Sequence, residues 1–222
     1  MERVICVVIG YLVGALLQTG YWYGRLNHID IRQYGSGNAG TTNAMRTLGK
    51  KAGAITYLVD ALKAVGAAII VHFVVGVHHS DIELVLIMYS GIGVVLGHNF
   101  PFYLGFKGGK GIAATSGVAV SLFLFPNGWI FTVLGIATFG GFSYATKYIS
   151  VGSLVFATSF LVEIIVMGQL GMLHIGGVEL IEVYAQTFFI TALAFVRHRA
   201  NIVRLCNGTE RKIGQKKTEE TM

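Results

Sequence analysis

The chain has 222 residues, 54% of them hydrophobic and 13% charged, with a formal net charge of +6. A water-soluble domain of this length cannot bury so much apolar surface, so the composition excludes a soluble globule and points to one polytopic membrane domain. Positive charge in such a protein marks its cytoplasmic side and its contacts with anionic lipid, and no nucleic-acid-binding motif accompanies it, so nucleic acid is excluded as a partner.

Apolar runs predict an all-α bundle of about seven transmembrane helices, over roughly 4–24, 52–77, 83–98, 112–126, 129–146, 151–173 and 179–196. The first run has no small-x-small cleavage site and is read as a span, not a signal peptide. Between the first two runs lies 35-GSGNAGTTNAMR-46. Its glycines let several backbone N–H groups converge. Its Ser, Thr and Asn side chains can cap a helix starting near Gly40, whose N-terminus favours an anion. Arg46 would lie inside that helix, with a planar fork suited to phosphate. A plain turn and helix cap would use the same residues.

The second span carries Asp60 and Lys63, three residues apart on one helix and expected to pair. After the third span comes 97-GHNFPFYLGFKGGKG-111. Its Gly-Gly-Lys-Gly core is not a nucleotide-binding Walker A loop, because Leu104 and Gly111 occupy positions that need Gly and Ser or Thr. Lys107 and Lys110 beside a helix start still make an anion site. His98 by itself reads as a helix-end histidine. Phe125-Pro126-Asn127-Gly128 predicts a tight hairpin between the fourth and fifth spans. Glu163 stands in the sixth span with no evident partner.

After the last span, 197-RHRANIVR-204 places Arg197, Asn201 and Arg204 on one helix face with His198 beside them. Residues 1–212 are read as one domain and 213–222 as a polar, disordered tail. Fifteen of the 17 Lys and Arg residues lie in or beside the loops on one side, which makes that side cytoplasmic and the N-terminus external. Cys6 and Cys206 then fall at opposite faces and are not expected to pair.

The three motifs, in order, resemble those of the bacterial acyl-phosphate:glycerol-3-phosphate acyltransferase family, PlsY. These are Gly-Ser-Gly-Asn-x-Gly-x-Thr-Asn at 35–43, Gly-His-x-Phe-Pro with Phe-x-Gly-Gly-Lys-Gly at 97–111, and Arg-His-Arg-x-Asn-Ile-x-Arg-Leu with Gly-Thr-Glu at 197–210. The resemblance covers nearly the whole chain. Ala39 stands where the family commonly has Pro, and Lys147 where Arg is common.

The resemblance implies transfer of a fatty acyl group from acyl phosphate, not acyl-CoA, to the sn-1 hydroxyl of glycerol 3-phosphate in the bacterial inner membrane, with no cofactor and no metal. The soluble enzyme that makes the acyl phosphate is a candidate partner. Ser36, Lys110, His198 and Asn201 would be catalytic. Asn38, Thr42, Asn43, Arg46, His98, Lys107, Gly108, Gly109, Gly111, Ser150 and Arg204 would bind substrate, Ser150 by resemblance alone. No carboxylate base is evident, so a substrate phosphate would accept the proton. The rival reading is a transporter of a phosphorylated small anion, which would suit Asp60, Lys63 and Glu163. Against it, the outer loops offer no matching basic site and no repeated halves are visible.

Overall fold

The computed structural model describes residues 1–215, and these form an all-α bundle. In chain order the helices are α1 (Glu2–Leu16), α2 (Thr19–Leu26), α3 (Thr41–Leu48), α4 (Lys50–Val74), α5 (Glu83–Asn99), α6 (Ile112–Ser121), α7 (Trp129–Thr146), α8 (Ile149–Gln169), α9 (Gly177–Arg197) and α10 (Arg199–Cys206). Six segments are long and apolar enough to cross a membrane, and a seventh, Ile112–Leu124, is apolar but shorter. Residues 216–222, which hold most of the expected tail, lie outside the described residues. At the start of that tail, the Ile213 N–H bonds the Lys147 carbonyl at 2.8 Å, so Ile213 is tied to the domain.

The first span is not one straight helix. It breaks at Leu17 and Gln18, whose ψ angles of 68° and 73° are far from helical. The fully buried Gln18 amide donates to Gly14 O at 3.0 Å and to Gly97 O and His98 O at 3.2 Å. A side chain thus satisfies carbonyls that the break and the end of α5 leave open.

α1 and α5 cross at backbone contact. A methyl group added at Gly14 would come within 2.2 Å of Val94 O, and one at Gly97 within 2.2 Å of Tyr11 O. Lipid tails offer no hydrophobic drive between helices, so this approach rests on close packing of small residues. It also places His98, one residue beyond Gly97, against the broken end of α1.

The main core joins α5, α6, α8 and α9, and Phe131 of α7 meets Phe160 of α8 edge-on while Phe160 stacks on Phe156. Large apolar side chains such as Leu58, Phe73, Ile136 and Phe188 are exposed on the outer surface, where lipid is the solvent.

α6 is the short span. Its ten residues rise about 15 Å, roughly half of a hydrocarbon core. The segment 100–111 that precedes it folds against the end of α5, where Gly108 N and Gly109 N bond the Asn99 and His98 carbonyls. The hairpin at Phe125–Gly128 forms as expected, with Asn127 at φ 63°.

Several ionisable groups outside the motif loops are paired. Asp60 and Lys63 meet at 2.9 Å, and Arg3 meets Glu182 at 3.0 Å. His72 hydrogen-bonds Glu83, a partner the sequence did not suggest. Glu163 is likewise not alone, since Ser159 Oγ donates to it at 2.8 Å.

Candidate active site

The first loop is organised by Asn43, which is 1% exposed. Its amide nitrogen donates to Ile31 O, Tyr34 O and Asn38 O at 2.9–3.0 Å, and its amide oxygen accepts from Ser36 N at 2.9 Å. With its bonding capacity used, Asn43 shapes the loop from inside. Gly35, at φ 60°, is the position where a Cβ would strike the Asn43 oxygen at 2.2 Å. The loop thereby presents exposed Ser36, with Asn38 Nδ2 at 3.2 Å from its hydroxyl.

The Gly-Gly-Lys-Gly loop is tied to the end of α5. Gly108 N donates to Asn99 O and Gly109 N to His98 O, at 3.2 and 3.1 Å. Arg197 donates to the carbonyls of both, at 3.3 and 2.8 Å. The two glycines are therefore engaged in the fold, not open to an anion. A methyl at Gly109 would come within 2.1 Å of His98 Nε2. Gly111, in the left-handed region at φ 89°, starts α6 and turns Lys110 inward.

These pieces line a polar cavity that is open to solvent on one side. Of the residues singled out in the sequence, Ser36, Asn38, Thr42, Asn43, Arg46, His98, Lys110, Gly111, Ser150, His198, Asn201 and Arg204 line it. Gly108 and Gly109 lie behind its wall, and Lys107 is exposed and lines neither this cavity nor its rim. The rim adds Arg197, Arg199 and Arg211.

Lys110 is central, with its ammonium bonded to Asn201 Oδ1. Burial pushes its pKa down to about 8, helped by the charges of Arg204, Arg46 and Arg197 and opposed by Glu210. Arg46 is also pushed down, by burial and by the Arg211 charge, though a guanidinium stays protonated. Among the described residues Arg46 makes no side-chain hydrogen bond. His198 Nδ1 lies 2.8 Å from the Ala194 carbonyl, so it carries the proton and leaves Nε2 as an acceptor. Burial and the Lys110 charge lower the His198 pKa to about 4, so the ring is neutral at pH 7.

One member of the site escaped the sequence reading. Gly208, at φ 68°, reverses the chain after α10, and the Thr209 and Glu210 N–H groups return to Arg204 O at 2.8 and 3.1 Å. Glu210 thus doubles back into the cavity. Its carboxylate accepts from Ser150 Oγ at 2.9 Å, Asn201 Nδ2 at 2.6 Å and Arg204 Nε at 2.7 Å. Burial raises its pKa, but these hydrogen bonds outweigh burial and hold it below the usual carboxylate value. The sequence offered a Gly-Thr-Glu after the last helix, but nothing in the spacing said that the chain turns back.

The polar cavity opens into an apolar groove of about 400 Å³ walled by α4, α6, α7 and α8, including Tyr57, Val120, Phe131, Gly135, Ile136, Phe139 and Phe156. Thr41, Thr42, Ile112, Ala113, Ile149 and Ser153 line both. A cationic, donor-rich chamber joined to a groove on the lipid side defines a membrane protein built to hold an anionic head beside a hydrocarbon chain.

The comparisons with known proteins fit that class. Residues 4–208 match the family model for glycerol-3-phosphate acyltransferase, and the chain belongs to this family of integral membrane enzymes. It is 41% identical to the glycerol-3-phosphate acyltransferase of Clostridioides difficile (strain 630) over 96% of this chain and 97% of that one. It is 39% identical to the one from Alkaliphilus metalliredigens (strain QYMF), covering 97% and 98%. Its fold is similar to the crystal structure of PlsY (YgiH), an integral membrane glycerol 3-phosphate acyltransferase, in the glycerol 3-phosphate form. The TM-score is 0.81, with 30% identity and 96% of each chain covered. The lysophosphatidic acid form of the same protein gives 0.78. The transporter reading gives way to an acyltransferase.

Proposed function

We propose that this enzyme takes its acyl group from a fatty acyl phosphate and places it on the sn-1 hydroxyl of glycerol 3-phosphate, releasing lysophosphatidic acid and inorganic phosphate as the first step of phospholipid synthesis. The observation that carries the proposal is the junction of the cationic cavity with the apolar groove. The acyl chain lies in the groove, and the carbonyl sits where Thr41, Ile112 and Ile149 line both spaces. The donor phosphate meets Lys110, the start of α6 and Ser36. Glycerol 3-phosphate enters from the rim, with its phosphate on Arg46 and Arg204 and its hydroxyl facing His198 and Asn201.

An acyl phosphate is a mixed anhydride with a good leaving group, so holding the two reactants together supplies most of what is needed. The hydroxyl oxygen attacks the acyl carbon, the bond from that carbon to the phosphate oxygen breaks, and phosphate departs with the electron pair. Lys110 offsets the charge on the departing phosphate. His198 Nε2 accepts a hydrogen bond from the hydroxyl and orients it. With a pKa of about 4 it does not keep the proton, which passes to a phosphate oxygen. Glu210 is a poor base for the same reason, since its oxygens are committed to Ser150, Asn201 and Arg204.

The test supplies purified enzyme and glycerol 3-phosphate with palmitoyl phosphate or palmitoyl-CoA, and follows lysophosphatidic acid. Turnover with the acyl phosphate alone is expected. Turnover with the CoA ester would overturn the donor assignment.

The site faces the cytoplasm and the N-terminus the outside, as the grouping of the Lys and Arg residues supports. The enzyme carries its own reporter of this, because Cys206 is exposed at the end of α10 while Cys6 is buried. A membrane-impermeant maleimide is expected to label Cys206 in inside-out vesicles and not in intact spheroplasts. The reverse pattern would invert the topology.

A further inference from the structure

Beneath the cavity lie three buried ionisable side chains on two helices: Asp60 at 1% exposure, Lys63 at 3% and His98 at 2%. The Lys63 ammonium is 2.9 Å from Asp60 Oδ1, 2.8 Å from Leu17 O, 3.2 Å from Gly14 O and 2.9 Å from His98 Nδ1. An ammonium has three N–H groups and no lone pair; its longest contact, to the Gly14 O that Gln18 already serves at 3.0 Å, is the one left without a full hydrogen bond, so His98 Nδ1 meets the ammonium with a lone pair. A proton on Nδ1 would point at a cation, and Asp60 Oδ1, at 3.6 Å, is too far to take it as a hydrogen bond. The ring proton therefore sits on Nε2, the nitrogen packed against Gly109, in a ring that lines the chamber.

We propose that Asp60 and Lys63 are positioning residues that hold His98 as an Nε2–H donor directed at an oxygen of the acyl donor. His98 and His198 then play opposite parts. Lys63 makes one ring a donor into the cavity, and the Ala194 carbonyl makes the other an acceptor. The break in the first span is part of the device, since it frees the Gly14 and Leu17 carbonyls that complete the Lys63 site. Asp60 is needed because an uncompensated ammonium at this depth is costly. Without Lys63, however, Asp60 becomes the strongest acceptor near Nδ1. It would draw the ring proton there and turn a lone pair toward the anionic substrate. The proposal rests on His98 touching the acyl donor, but its tautomer can be read without any turnover.

The first measurement is the ¹⁵N spectrum of histidine-labelled enzyme in detergent, with His98 assigned by difference from His98→Gln. Wild type is expected to show the proton on Nε2, and Lys63→Met to move it to Nδ1. A wild-type ring protonated on Nδ1 overturns the proposal whatever the variants do. The second is a kinetic cycle. Lys63→Met is expected to lower kcat about 100-fold with KM for glycerol 3-phosphate changed less than about threefold. In the His98→Gln background, where an amide needs no tautomer, the same change should cost less than about threefold. An equal loss in both backgrounds means that Lys63 only supports the fold and overturns the proposal. If Lys63→Met does not fold, Asp60→Leu/Lys63→Met removes both charges together and takes its place. It is expected to give mixed tautomers and an intermediate kcat, and a ring still wholly protonated on Nε2 would show that the pair does not set it.

Discussion

Replacing Lys110 by Ala is expected to lower kcat by about 1000-fold or more while leaving the protein folded. Lys110 holds its charge amid Arg46, Arg197 and Arg204, with Glu210 as the opposing carboxylate, and burial together with these cations brings its pKa to about 8. The ordinary lysine value is 10.5, so the folded state holds this proton less tightly than the unfolded chain does. Below about pH 8 the charged side chain therefore opposes folding. That opposition fades as pH rises through the folded value and is gone above the unfolded one. Thermal unfolding of Lys110→Ala at pH 7 should accordingly show an unchanged or higher Tm beside the lost activity. A lowered Tm would mean that Lys110 supports the fold. In the wild type, kcat/KM should fall above about pH 8 as the ammonium is lost. The corresponding limb of kcat should lie higher, because bound phosphate favours the charged form. A flat alkaline profile would remove Lys110 from the chemistry.

Glu210→Ala is expected to cost both activity and stability, and this separates it from Lys110→Ala. The carboxylate ties together Ser150 from α8 and Asn201 and Arg204 from α10. Its bond to Asn201 Nδ2 turns the other end of that amide toward Lys110. Without it the amide is free to flip, Arg204 loses its partner, and Lys110 loses the anion that props up its pKa. A drop of about 100-fold in kcat/KM and of about 2–4 kcal/mol in stability follows from losing a buried, charge-assisted network. Glu210→Gln keeps an acceptor for Asn201 and should lose less. Its alkaline limb should move to lower pH, because Glu210 raises the Lys110 pKa. A limb that stays put would show that Glu210 acts on packing alone.

Much of this site is legible in the sequence because loops must declare themselves between apolar runs. The three motif loops, their cations and most of the residues lining the cavity stand out on composition alone. What cannot be read there is which polar groups face inward. Asn43 and Ser36 look alike in the string, yet one is the internal staple of the loop and the other its exposed edge. Gly108 and Gly109 suggest open N–H groups, but the structure spends those groups on α5 and uses the missing side chains to admit His98. Glu210 enters the cavity through a left-handed glycine after a helix, a tertiary event with no periodicity to signal it. The broken first span is hidden because Leu16 and Leu17 keep the run apolar, and only the partners of Gln18 and Lys63 explain why the helix stops.

The groove's exposed wall has a kinetic consequence. One wall of the groove, at Ile136 and Gly140 on α7, lies on the lipid-facing surface of the bundle. The enzyme therefore draws its two substrates from different phases. On the function proposed above, the acyl donor arrives by lateral diffusion, so its effective concentration is a mole fraction in the bilayer, while glycerol 3-phosphate is counted per volume of the aqueous phase. Diluting the acyl donor with inert lipid or detergent should slow the reaction even when its amount per volume is held constant, and the acylated product should leave sideways by the same exposed wall.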